Sequence, residues 1–215
     1  MTFKAVIFDL DGTLVDSAPG ILSSMRAAME ALGAVPALPL TNSLIGPPLT
    51  QTLQLLCPAA DQQELQDLLF AFKQHYDAVG YKSSLPFAGV NHMLEALHAA
   101  GLPKFIATNK RQIPTRKIVA ERRWTEYFEA VYSPDSFLPA AKNKGDMLTH
   151  ILGVHRLEPS EVVYVGDRAD DAQAANQADV HFFHANWGYG KKHSWEFNSE
   201  ISDVKKLQEL IIYNS

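Results

Sequence analysis

Five short apolar runs divide this chain, and most of them stop abruptly at polar residues. Ala5-Val6-Ile7-Phe8 runs into Asp9-Leu10-Asp11-Gly12-Thr13, and Phe105-Ile106-Ala107 runs into Thr108-Asn109-Lys110. Ala130-Val131-Tyr132 stops at Ser133, and Val162 to Val165 runs into Gly166-Asp167. A fifth run, Val180 to Phe183, precedes the glycine-rich turn Trp187-Gly188-Tyr189-Gly190. Continuous apolar runs of this length, rich in large and β-branched residues, predict strands buried on both faces, as in a parallel sheet. Helical stripes separate them. Val90 to Ala100 is ended by Gly101, and Ile113 to Arg122 follows the second run. A third helix turns Met147, Leu148, Ile151 and Leu152 inward; an alanine-rich helix follows Asp171, and the last covers about Asp203 to Ile212. This alternation predicts an α/β fold, a doubly wound parallel sheet with helices on both faces.

One stretch breaks the alternation. Ile21, Leu22, Met25, Ala28, Met29 and Leu32 recur at helical spacing before Gly33. Leu49, Leu53 and Leu56 predict a short helix, and a stripe from Leu65 to Tyr76 a longer one over about Asp61 to Tyr76. No strand pattern lies between them, so a helical insertion is expected between the first strand and the next.

Composition narrows the class. The chain has 215 residues, 47% hydrophobic, which is enough for a substantial core and excludes general disorder. The net charge of −5, with no basic stretch, argues against nucleic acid. The single cysteine, Cys57, excludes an intrachain disulfide; beside a proline, it reads as a small packed residue. No run approaches a membrane span. These features predict a soluble, cytoplasmic protein.

The candidate chemistry sits at the strand ends, where α/β sheets bind ligands. Asp9 and Asp11 place two carboxylates together, and Asp167 brings a third from far along the chain. Like charges this close require a cation, and oxygen ligands of this kind suit Mg2+. Thr108 and Asn109 offer donors to a phosphate. A lysine in Lys142-Asn143-Lys144 can offset the negative charge; distance to the apolar stripe favours Lys144, with Lys142 as the fallback. The plainer alternatives are an Asp-Gly turn, a strand-end threonine and helix-capping aspartates, Asp170 among them. Lys110 reads either as a solvated surface lysine or, with Asn109, as part of the strand-end site. The histidines show no metal-ligand spacing.

Taken together, Asp9 to Ser17 (DLDGTLVDS), the strand ending in Thr108-Asn109-Lys110, the lysine before a helix, and Gly166-Asp167 with Asp171 resemble the signatures of the haloacid dehalogenase superfamily of phosphohydrolases, nearest its phosphoglycolate phosphatase-like members. The resemblance implies a core of residues 1–15 and 85–215 with a helical cap of residues 16–84. It implies Mg2+-dependent hydrolysis of a small phosphorylated metabolite, phosphoglycolate being one candidate, with Asp9 as nucleophile and Asp11 as general acid and base. Thr108, Asn109 and Lys144 would bind phosphate. Asp9, Asp167 and the carbonyl of Asp11 would hold the metal. Asp171 would support metal-bound water or orient Lys144. Gly46-Pro47-Pro48-Leu49 is similar to the family's substrate-facing cap loop, and equally reads as a loop that ends a helix.

Two positions depart from the family pattern. Arg168 stands where Ser or Thr is usual, and either touches substrate or points to solvent; Ala178-Asp179 replaces Ala-Gly. Three rivals share much of the pattern: a dehalogenase, disfavoured by Asp11; a phosphomutase of the β-phosphoglucomutase type; and a phosphate-binding protein without turnover.

Overall fold

The computed structural model describes residues 2–190 and 200–213. In chain order the elements are β1 (Ala5–Phe8), β2 (Val15–Asp16), α1 (Ala18–Leu32), α2 (Leu49–Leu56), α3 (Gln62–Ala78), β3 (Leu85–Pro86) and α4 (Val90–Ala99). Then come β4 (Lys104–Ala107), α5 (Gln112–Glu121), β5 (Ala130–Tyr132), α6 (Lys144–His155), β6 (Val162–Gly166), α7 (Ala169–Gln177), β7 (His181–Ala185), β8 (Glu200–Ile201) and α8 (Val204–Tyr213). Short 3-10 turns punctuate the loops.

Six strands form one sheet in the order β5-β4-β1-β6-β7-β8, and every neighbouring pair is parallel. The fold is the expected α/β doubly wound sheet. β1 explains why both faces are covered. Val6 and Phe8 join a core with α4, α5 and α8, while Ala5 and Ile7 join a second core with α6 and α7. Side chains alternate along a strand, so a strand apolar at all four positions needs helices on both sides. Each large side chain buried this way contributes about 1.5–3 kcal/mol. β1 lies at the switch point, with β4 on one side and β6 on the other, and the crevice beyond its carboxyl end is where ligands bind in such sheets.

α1, α2 and α3 lie between β2 and β3 and have their own apolar cluster around Met25, Met29, Leu53, Phe72 and Tyr76. Cys57 is buried in that cluster, as its packed reading requires. Gly33 ends α1 in the left-handed region at φ 63°, and Asp61 caps α3 by accepting the Glu64 N–H at 2.9 Å. β2 and β3 pair antiparallel over two residues each, Val15 with Pro86 and Asp16 with Leu85. This ribbon, like β8, is too short to leave a periodic signal in the sequence.

Candidate active site

The site is assembled at the carboxyl ends of β1, β4 and β6. Asp9 continues the β1 ladder by one residue, its N–H donating to the Val165 carbonyl at 2.8 Å. The chain then turns back sharply: the N–H groups of Leu14 and Val15 both donate to the Leu10 carbonyl at 3.0 Å. Gly12 sits in that turn at φ 88°, and a side chain there would run into the Asp167 carboxylate. Thr108 follows β4, fully buried, its hydroxyl accepting the Lys110 N–H at 3.2 Å.

Lys144 opens α6. Its ammonium lies 2.9 Å from Asp9 Oδ1 and also bonds Asp171. Asp171 also accepts from the Tyr164 hydroxyl at 2.8 Å and the Arg168 N–H at 3.0 Å, so the Lys144 ammonium is held between two carboxylates. Asp167 differs. One of its oxygens accepts the N–H groups of Tyr189 and Gly190 at 2.7 and 3.1 Å, whereas Oδ1 is buried without a hydrogen-bond partner. His184 Nε2 lies 2.9 Å from the Asp167 carbonyl and steadies the backbone behind it. Gly190 has no room for a side chain, because a Cβ there would overlap that same carbonyl.

The charge balance is uneven. Asp9, Asp11, Asp167 and Asp171 face two ammonium groups, those of Lys144 and Lys110, an excess of two negative charges. Burial pushes Asp9 well above the usual carboxylate range; Lys144 opposes this, and the neighbouring Asp171, Asp167 and Asp11 add to it. Burial and then Asp171 push Asp167 up to about 7, against the Tyr189 N–H, Lys144 and the Gly190 N–H. Burial pulls the Lys144 ammonium down, but Asp171 and Asp9 outweigh it and hold it well above an ordinary lysine. A divalent cation fits this surroundings: Asp9, Asp167 and Asp171 offer oxygens within 4.8 Å of one another. Asp171 already accepts from Lys144, Tyr164 and Arg168, whereas Asp167 Oδ1 has no hydrogen-bond partner, so Asp167 is the most open member of this all-oxygen set.

A cavity of about 310 Å3 opens above these groups. Its floor comprises Asp9, Asp11, Thr108, Asn109, Lys110 and Lys144. Its walls are the inserted helices and the loop from Leu44 to Thr50, which includes Gly46-Pro47-Pro48. That loop therefore faces the site.

Asp9, Asp11, Thr108, Asn109, Lys144, Asp167 and Asp171 are thus brought together. Asn109 lines the cavity and donates to Asp170 at 3.4 Å. Lys142 is exposed. Two readings change. Lys110 is not a solvated surface lysine: its ammonium sits 2.6 and 2.9 Å from the two Asp11 oxygens and 4.8 Å from the centre of the Tyr76 ring. Asp170 is not the cap of α7, whose N-cap is Arg168. Arg168 is partly exposed and does not line the cavity; its guanidinium donates to the Ile45 carbonyl at 2.6 Å. The supporting groups Tyr164 and His184 carried no local sequence signal, and Tyr189 only its glycine-rich turn. Tyr189 donates to Asp16 at 2.6 Å and accepts the Ala18 N–H at 2.9 Å. Among the described residues no histidine joins a metal-binding group; His193 lies outside them.

Fold and site together define an α/β protein with a lysine-bridged cluster of carboxylates at the switch point of a parallel sheet. The family model for haloacid dehalogenase-like hydrolases matches residues 6–185, and the chain belongs to that family. It is 35% identical over 192 residues to a phosphoglycolate phosphatase of Xylella fastidiosa (strain 9a5c), covering 86% of this chain and 81% of that protein. It is 34% identical over 189 residues to the tyrosine-protein kinase PtkA of Mycobacterium tuberculosis (strain ATCC 25618 / H37Rv), covering 87% of this chain. That match spans 64% of the mycobacterial protein, so this chain accounts for less than two thirds of its length. The crystal structure of a predicted phosphoglycolate phosphatase from Haemophilus somnus 129pt superposes with a TM-score of 0.87, at 22% identity over 98% of both chains, a likeness of fold. Among the described residues no helix is long and apolar enough to cross a membrane.

Proposed function

We propose that this chain is a Mg2+-dependent phosphatase that hydrolyses a small phosphomonoester through an aspartyl-phosphate. The observation that carries the reading is Lys144 bridging Asp9 and Asp171 beside the unpartnered Asp167 oxygen. Asp9 attacks phosphorus and the ester P–O bond breaks, while Asp11 gives its proton to the departing oxygen. Asp11 then takes a proton from the water that attacks phosphorus, and inorganic phosphate leaves with Asp9 restored. Lys144, Thr108 and Asn109 hold the phosphoryl oxygens as charge spreads over them. Asp9, Asp167 and the Asp11 carbonyl would hold Mg2+, which neutralises phosphoryl charge when bound.

Residues 16–84 serve as the cap in this reading, and residues 1–15 and 85–215 as the catalytic core. The partner is a small phosphorylated metabolite; the names of relatives make phosphoglycolate the first to test. A cytoplasmic setting is in keeping with the single free cysteine. The test is phosphate release from a panel of phosphomonoesters, with and without Mg2+, by the wild type and Asp9→Asn. Metal-dependent release that vanishes in the variant supports the reading. Interconversion of a sugar phosphate without release would replace it with a phosphomutase. The name of the mycobacterial relative supplies a second rival, phosphoryl transfer from a nucleotide to a tyrosine hydroxyl, tested by incubation with labelled nucleotide and a tyrosine peptide.

A further inference from the structure

The cavity above the phosphoryl site is shaped for more than a two-carbon leaving group. At about 310 Å3 it falls at the lower end of sites that enclose whole drug-sized ligands. Beside the polar floor its lining includes the apolar Met25, Leu44, Leu49, Leu69, Phe72 and Tyr76, with Thr50, Thr52, Lys73, Arg111 and Asp135 as the further polar groups. A glycolate group would leave most of that apolar wall facing water.

α3 supplies a scale for the depth. Its carboxyl end touches the core: Tyr76 stacks against the Lys110 ammonium, and Asp77 accepts two hydrogen bonds from Arg111 at 2.7 and 3.0 Å. Its amino end at Gln62 and Gln63 is exposed. Residues nearer the amino end therefore stand progressively farther from the phosphoryl floor, at about 1.5 Å per residue. Lys73 lies about 4.5 Å beyond Tyr76 and Leu69 about 10.5 Å beyond it on that rise. Lys73 is half-buried, lines the cavity and has no ion pair among the described residues. The other cations at the cavity are engaged: Lys110 with Asp11, Lys144 with Asp9 and Asp171, Arg111 with Asp77.

From this arrangement, and resting on the phosphatase reading, we infer that the substrate is the phosphate ester of a mid-sized, mainly apolar alcohol carrying an anionic group that Lys73 recognises. The apolar body fills the space under Met25, Leu49 and Phe72. The anion sits about one helical turn beyond the phosphoryl floor, and Lys73 is the residue that reads it.

The test compares kcat/KM, with Mg2+, for 4-carboxyphenyl phosphate, phenyl phosphate, phosphoglycolate and acetyl phosphate. The expected order is 4-carboxyphenyl above phenyl by about tenfold, the effect of one charge pair, and phenyl above phosphoglycolate. In Lys73→Met the ratio of the two aryl esters falls to near one; in Lys142→Met it is unchanged. A ratio within one protein is insensitive to loss of folded material. Phosphoglycolate equal to or better than both aryl esters overturns the inference, as does a ratio that Lys73→Met does not move. Acetyl phosphate hydrolysed with neither aryl ester turned over overturns the inference and leaves the phosphatase reading standing. If no ester is hydrolysed, the phosphatase reading fails. Calorimetry then decides the cavity preference: tighter binding of 4-carboxyphenyl phosphate than of phosphoglycolate supports it, and the reverse overturns it.

Discussion

Lys144 Nζ stands 2.9 Å from Asp9 Oδ1 while also bonded to Asp171, which makes the lysine the bridge between the first and last carboxylates of the site. Removing it exposes the proposed nucleophile to uncompensated negative charge. Lys144→Met should lower kcat by about 10²–10³, the usual effect of losing one preorganised group that stabilises developing charge. It should also destabilise the fold by about 3–5 kcal/mol, because buried carboxylates lose their partner. Exposed Lys142→Met should change neither, and steady-state kinetics with thermal melts on both variants separates the two lysines.

Asp9→Asn should eliminate turnover without unfolding the protein. Burial and three neighbouring carboxylates disfavour the Asp9 charge, so the amide relieves repulsion. In metal-free buffer at neutral pH the variant should melt at or above the wild-type temperature. Residual turnover above background would remove Asp9 from the role of nucleophile.

Stability should depend on pH in the opposite sense to a salt-bridged carboxylate. A folded-state pKa raised above the unfolded value means that the folded state binds more protons, so that contribution is complete at low pH and is lost as pH rises. For Asp167 the window runs from its ordinary 3.8 to about 7. Asp9 is shifted the same way by burial. With a chelator present, the melting temperature should fall as pH rises across this range. Added Mg2+ should reverse the fall, with a larger gain above the window than below it. A metal-independent profile would argue against a cation at Asp9 and Asp167.

Gly190→Ala should cost more than an exposed glycine substitution. A Cβ there overlaps the Asp167 carbonyl, so the backbone that donates to Asp167 must move. A loss of about 2–4 kcal/mol with reduced metal affinity is expected, at the upper end of single-site effects. Chemical denaturation and metal titration monitor the two effects separately.

Arg168→Ala should act on substrate binding more than on chemistry. Its guanidinium donates to Ile45 in the inserted segment, while its backbone donation to Asp171 survives the substitution. KM should rise about three- to tenfold with kcat nearly unchanged, because the cavity-lining loop loses its tie to the core and is populated less in the arrangement that binds substrate. An equal fall in kcat would instead place Arg168 in the chemical step.

The strand ends were legible because burial on both faces forces an unbroken apolar run, and the first polar residue after it marks the mouth of the crevice. Asp9, Thr108 and Asp167 were found in this way, and Lys144 by its offset from the inward stripe of α6. Lys110 was ambiguous because a lysine after a strand is ordinarily solvated; its burial depends on Asp11, distant in sequence, and on Tyr76 from the inserted helices. Charge counting held the missing signal, since four carboxylates beside one lysine call for a second cation. Tyr164 and His184 were invisible for a different reason, and of Tyr189 only its place in a glycine-rich turn could be read. They act through hydrogen bonds to groups brought near only by the completed fold, and aromatic residues next to buried strands look like ordinary packing.

The ribbon formed by β2 and β3 has a further consequence. The chain leaves and re-enters the core at Val15 and Pro86, which are direct cross-strand partners, and neither strand belongs to the six-stranded sheet. Cross-strand Cα atoms lie about 4.5–5.5 Å apart, a gap that a residue or two closes. Everything between those two points hangs on one narrow port, and the register that sets Asp9 beside Asp167 is fixed by the pairing of β1 with β6, in which the inserted helices take no part.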